Sequence, residues 1–144
     1  TGTDISADAT LRLPAGIAMT TRLQYTYQDA RDVTNRNDSY YNDQIAYIPY
    51  HSGSLMLGMK WRRWSANYSF IYTGLRYSQQ ENILYNRLQP WYTSDLNIMR
   101  TLTLGKTLMR VTLEINNLFS QDYDVILNYP MPKRNCAISL DIDM

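Results

Sequence analysis

The chain has 144 residues, with 14 Lys and Arg against 13 Asp and Glu and a mean hydropathy of −0.43, so its length allows one domain with a modest core. The near-neutral balance and the absence of a dense basic block give no footprint for a phosphate backbone, which excludes nucleic acid as an expected partner. One cysteine, Cys136, rules out an internal disulfide or a Cys-rich metal set, and no run approaches the roughly 18 apolar residues of a membrane-spanning helix.

Along the chain, the first periodic stretch is Thr3 to Leu13, with Ile5, Ala7, Ala9, Leu11 and Leu13 on one parity and Asp4, Ser6, Asp8, Thr10 and Arg12 on the other. This is a strand with one wet face. Pro14-Ala15-Gly16 supplies a short turn. From Ile17 to Gln28 the alternation resumes, Ile17, Met19, Leu23, Tyr25 and Tyr27 opposing Ala18, Thr20, Arg22, Gln24, Thr26 and Gln28. A polar run from Asp29 to about Gln44 has no period and reads as a long loop.

Pro49 limits the next strand, His51 to Trp61, in which Leu55, Leu57, Met59 and Trp61 oppose Ser54, Met56, Gly58 and Lys60. Arg62-Arg63 makes a tight connection to Trp64, Ala66, Tyr68, Phe70 and Tyr72, which share a face. A second polar loop spans about Ser78 to Gln89. Beyond Pro90, Tyr92, Leu96, Ile98 and Leu102 oppose Thr93, Asp95, Asn97, Met99 and Thr101. Gly105-Lys106 closes another tight turn, Met109, Val111, Leu113 and Ile115 form the next apolar row, and a third long connection runs from Asn117 to about Asn135. Cys136, Ile138, Leu140, Ile142 and Met144 form the last row.

These stretches amount to about seven strands, each near the 9 to 11 residues that a tilted strand needs to cross a bilayer. Connections alternate between short and long, as in outer-membrane barrels with tight periplasmic turns and extended outer loops. Tyr and Trp favour sites with one apolar and one wet end. Tyr25, Tyr27, Tyr72 and Tyr92 fall at the long-loop ends of their rows, and Trp61 and Trp64 at a turn end, which predicts two membrane-interface rims. The wet face holds Ser, Thr, Asn, Asp and Gln with scattered Arg rather than the Lys and Glu of a soluble surface, which suits an aqueous lumen. The expected fold is therefore all-β: an antiparallel up-and-down transmembrane β-barrel segment belonging to a larger barrel.

The stretch Leu113-Glu114-Ile115-Asn116-Asn117-Leu118-Phe119-Ser120-Gln121-Asp122-Tyr123 resembles the penultimate strand and loop of TonB-dependent outer-membrane receptors. Tyr129-Pro130-Met131-Pro132-Lys133-Arg134 is similar to the family's approach to its final strand. Tyr47-Ile48-Pro49-Tyr50-His51-Ser52-Gly53-Ser54-Leu55 and Asp95-Leu96-Asn97-Ile98 resemble entries into two earlier ones. Lys133 stands where the family has Gly, and Met144 where it has an aromatic residue.

The resemblance implies that residues 1–144 are the carboxy-terminal portion of a plugged barrel of about 22 strands, with the plug and earlier strands outside the chain. It further implies outer-membrane location, lipid around the wall, coupling to the TonB system through the plug, and uptake of a large scarce solute of the siderophore, cobalamin or oligosaccharide class. No enzyme activity and no cofactor are expected.

Among individual residues, Tyr40, Tyr41, Tyr47, Tyr85 and Tyr123 in the loops are candidate solute contacts, because rigid aromatic surfaces bind at little entropic cost. Arg12, Arg22, Asp95, Arg110 and Glu114 are candidate lumen- or plug-facing charges, cross-strand pairing being the alternative. The loop donors from Asp29 to Asp43 lack the glycine and spacing of a calcium loop, so no metal is assigned. His51 and Cys136 are read as packing residues, and Asn116 and Asn117 as loop stabilisers. Two other readings stand beside the receptor: a passive porin-like channel, and a soluble lipocalin-like barrel closed over an apolar ligand. If soluble, the chain is expected to self-associate through its open edges.

Overall fold

The computed structural model describes residues 1–105 and 107–143; Lys106 of the expected Gly105-Lys106 turn and Met144 of the last apolar row lie outside the described residues. Period-2 patterning forms β1 (Gly2–Leu13), β2 (Ile17–Gln28), β3 (His51–Trp61) and β4 (Trp64–Thr73). Two short strands, β5 (Arg76–Tyr77) and β6 (Arg87–Leu88), follow, then β7 (Trp91–Leu104) and β8 (Thr107–Asn116). A second short pair, β9 (Asp124–Ile126) and β10 (Tyr129–Pro130), precedes β11 (Asn135–Asp143).

The seven long strands make one antiparallel sheet in the order β1-β2-β3-β4-β7-β8-β11, a meander in which each long strand lies beside its neighbour in sequence. Leu13 stands opposite Ile17, Ile17 opposite Trp61, Trp61 opposite Trp64 and Trp64 opposite Arg100, and the row continues through Val111 to Leu140. Residues directly opposite share a face. The apolar rows therefore merge into one surface and the hydroxyl, amide and charged rows into the other.

That surface is not a core. Leu88 is the only buried apolar side chain among the described residues. None of Leu55, Leu57, Phe70, Val111 and Leu140 is buried, and Ile138 on the same face is 76% exposed. A soluble sandwich or barrel of this size would hide these rows. The polar face instead borders a hollow of about 860 Å3, walled by residues that include Asp8, Arg22, Asn67, Asp95 and Glu114. Among the described residues the sheet is not closed: β1 pairs only with β2, and β11 only with β8.

Turn chemistry matches the short connections. Ala15 and Gly16 take positive φ values of 67° and 75° after Pro14, and the two-residue turn between β3 and β4 places Arg62 at φ 54°. The long connections are more ordered than an aperiodic polar run suggests. An isolated bridge joins Arg31 to Gln44, β5 pairs with β6 inside the second loop, and β9 pairs with β10 inside the third.

Candidate functional site

Apart from Thr112 in the middle of β8, the buried polar side chains among the described residues lie toward the end of the sheet where the three long loops meet, opposite the tight turns. In the first loop Gln44 is 1% exposed, and its amide donates to the carbonyls of Ile48 and, at 3.4 Å, Leu75. Its backbone N–H donates to Asn82 Oδ1 at 2.8 Å, while Asn82 Nδ2 returns a bond to the Gln44 carbonyl at 3.0 Å and the Asn82 N–H reaches Asp43 Oδ2 at 3.0 Å. The Ser39 hydroxyl donates to Glu81 at 2.8 Å. The first and second loops are thereby tied together.

Arg76 ties the second loop to the third. Its guanidinium donates to the carbonyls of Asp124 at 2.6 Å and Val125 at 3.2 Å, and lies 5.9 Å from the ring centroid of Trp91. Burial pulls its pKa below the ordinary arginine value, with Tyr47 and Asp124 acting in the opposite direction. Trp91 stacks on Tyr123 with ring centroids 4.6 Å apart. One hollow of about 360 Å3 is walled by Trp91, Tyr123, Arg87 and Asp122 among others. Another, of about 520 Å3, is walled by Trp91, Arg76, Tyr47 and Ile126 among others. Trp91 Nε1 is buried without a hydrogen-bond partner among the described residues, so the wall common to both hollows contains an uncommitted donor.

Asn117 organises the start of the third loop. Its N–H donates to Asp95 Oδ1 at 2.9 Å, its Nδ2 to the carbonyls of Gln121 at 2.8 Å and Pro132 at 3.1 Å, and its Oδ1 accepts the Gln121 N–H at 2.8 Å. The expected loop-stabilising role thus holds for Asn117. Asn116 differs: its Nδ2 donates across the sheet to the Asn135 side chain at 3.0 Å, because its parity points it away from the loop backbone.

The five loop tyrosines do not converge on one cavity. Tyr47 borders the larger hollow and Tyr123 the smaller, whereas Tyr85 is 91% exposed, and Tyr40 and Tyr41 are half-buried within the first loop. A hydrogen bond to Asp38, and then the charge of that carboxylate, raises the pKa of the Tyr40 phenol.

Arg12, Arg22, Asp95, Arg110 and Glu114 all stand on the polar face. Arg22 pairs with Asp8 at 2.7 Å, Arg110 with Asp143 at 3.5 Å, and Glu114 accepts from Asn97 at 3.3 Å. On the apolar face Tyr72 stands opposite Tyr92 at the loop end, and Tyr25 bonds His51 at 2.8 Å beside Tyr27. Trp61 and Trp64 face each other at the turn end.

Sequence reasoning missed Gln44, Arg76 and Asn86, the last 4% exposed with its amide donating to the Glu81 carbonyl at 2.9 Å, because burial of a polar loop residue leaves no periodic trace, and it missed Asn82, whose role is pairing across loops. Trp91 had a signal: a large aromatic on the polar parity of β7.

A profile of the family described as TonB dependent receptor-like, beta-barrel, matches residues 1–118. No curated protein matches the chain.

Proposed function

Because the chain belongs to the TonB-dependent receptor-like β-barrel family, a family of outer-membrane transport receptors, we propose that its seven long strands form part of the wall of an uptake barrel driven through TonB. On this reading residues 1–144 are the carboxy-terminal portion of that wall, and the plug and the remaining strands come from sequence outside it. The single-sided pairing of β1 and β11 supports this, since each leaves a row of backbone groups to be met by further strands. A bilayer requires that every backbone group within it be paired, which a wall of this kind achieves only on closure.

The observation that carries the reading is the inverted sidedness of the sheet, with apolar rows exposed and polar rows bordering the hollow. A lipocalin-like barrel has the reverse arrangement, so the soluble reading loses its support. The loops facing outward capture a large scarce solute of the siderophore, cobalamin or oligosaccharide class together with the plug, and movement of the plug releases it inward. No covalent step is involved. Tyr47, Tyr123, Arg76 and Trp91 form the part of the loop cluster best suited to meet solute, as they combine aromatic faces with hydrogen-bond donors. Arg12, Arg22, Asp95, Arg110 and Glu114, all on the polar face, are oriented toward the plug.

Spin labels placed one at a time along β3 and β4 test the sidedness in a reconstituted bilayer. Labels at Leu57 and Phe70 should relax with oxygen, which partitions into lipid, and those at Met56 and Ser69 with a water-soluble nickel chelate. The opposite pattern, or no alternation, overturns the reading.

A further inference from the structure

The two rims of the apolar face differ in charge. At the loop end the rim is phenolic, made by Tyr25, Tyr27, Tyr72 and Tyr92 with His51. At the turn end stand Trp61 and Trp64, each with a guanidinium on its ring: Arg62 lies 5.3 Å from the Trp61 centroid and Arg100 4.8 Å from the Trp64 centroid.

Arg100 is unusual in its place. Among the described residues of the seven long strands, it is the only Lys, Arg, Asp or Glu on the apolar face; the others stand on the polar one. Its row neighbours are Trp64 and Val111, and no ion pair includes Arg62, Arg63 or Arg100 among the described residues. The face therefore presents cations with no carboxylate of its own to balance them. Arg62 adds a second observation, since it occupies a left-handed backbone position at φ 54°. Glycine or asparagine fits there with less strain than an arginine incurs. A locally unfavourable residue at an exposed turn points to a use for its side chain.

We infer that Trp61, Arg62, Trp64 and Arg100 form a binding site for the anionic headgroup of a phospholipid in the leaflet at the turn end of the barrel. Trp64 lies one strand from each of Trp61 and Arg100, so the site spans two strand spacings, roughly 10 Å, which is headgroup scale. The indoles, 38% and 41% exposed, seat the glycerol and upper acyl carbons at the interface. The guanidiniums, held against the rings, present their planar donors to the phosphate. Pre-ordering of both arginines on aromatic faces lowers the entropy lost on binding. The inference rests on the proposed contact of this face with lipid.

The test uses the closed barrel of which the proposed function makes the chain a part, with any tryptophan outside residues 1–144 replaced by phenylalanine. It is reconstituted in phosphatidylcholine vesicles containing phosphatidylglycerol, with either lipid brominated in its acyl chains to quench nearby tryptophan fluorescence. Trp91, on the polar face, gives a constant background. Phosphatidylglycerol should be preferred over phosphatidylcholine next to the indoles, by about fivefold for each arginine engaged. Arg62→Gln and Arg100→Gln should each lower that preference and together abolish it, whereas the corresponding lysine variants should retain most of it. Equal quenching by both lipids in the unaltered chain, or a preference unchanged in the double glutamine variant, overturns the lipid site while leaving the membrane reading standing. No quenching by either brominated lipid overturns the membrane reading itself.

Discussion

Asn117 combines three roles that no other side chain would supply together. It is 4% exposed, holds φ at 50°, and makes three side-chain hydrogen bonds that close the start of the third loop. Asparagine tolerates the left-handed region better than other non-glycine residues. Asn117→Ala should destabilise the chain by about 1–3 kcal/mol, because three part-buried hydrogen bonds to the Gln121 and Pro132 backbone are lost together. Urea unfolding in detergent, followed by intrinsic fluorescence, measures it. Arg76→Lys should release the third loop despite keeping the charge, since a single ammonium cannot reproduce the guanidinium's planar fork on the Asp124 and Val125 carbonyls. Faster protease cleavage between residues 124 and 130 than in the unaltered chain is the expected readout. Asp32 titrates with a definite sign: its carboxylate accepts the Thr34 N–H at 2.9 Å, and bonds from the Thr34 backbone and then its hydroxyl depress its pKa. The local turn is therefore stabilised above the ordinary carboxylate pKa, and that contribution is lost as pH falls through the depressed folded value. A carbon-detected NMR titration of Asp32 should have its midpoint below that of a free aspartate.

At the level of elements, the sequence was most readable where two faces differ in solvent. The limits of β2, β3 and β4 coincide with the alternating stretches read from the residues, because a slip of one position would turn a whole row to the wrong side. The pairs β5–β6 and β9–β10 left no such trace, since strands of two or three residues are too short to have a period. Arg100 was passed over for a related reason: an alternation argument collects apolar residues and skips the exception among them. The candidate site was half legible, with Tyr47, Tyr123 and Asn117 noted from type and position, and the side chains that knit the loops together not noted at all. One packing constraint also belongs to this scale. A Cβ on Gly74 would lie 2.7 Å from the His51 carbonyl oxygen, which already accepts the Gly74 N–H at 2.8 Å. Gly74→Ala should separate the loop ends of β3 and β4, costing about 1–3 kcal/mol, and faster amide exchange at Gly74 would register it.

For the whole molecule, the near-absence of a buried apolar core sets what keeps it in solution. Removed from lipid or detergent, the exposed rows on β1, β3 and β11 and the two unpaired edges should recruit further copies of the chain. Light scattering in aqueous buffer should therefore report assemblies well above one chain's mass, and a stable monomer would contradict the description of the apolar face. Every pairing in the main sheet joins strands that are consecutive among the seven long ones. Such a meander zips up hairpin by hairpin, with only modest loop-closure entropy at each step. On the proposed reading of the chain as part of a barrel wall, closure onto the free edge of β11 would be the contact of high sequence separation and hence the slow event left for last, so the time a nascent wall spends unsealed, rather than the speed of its hairpins, would govern how long it depends on chaperones.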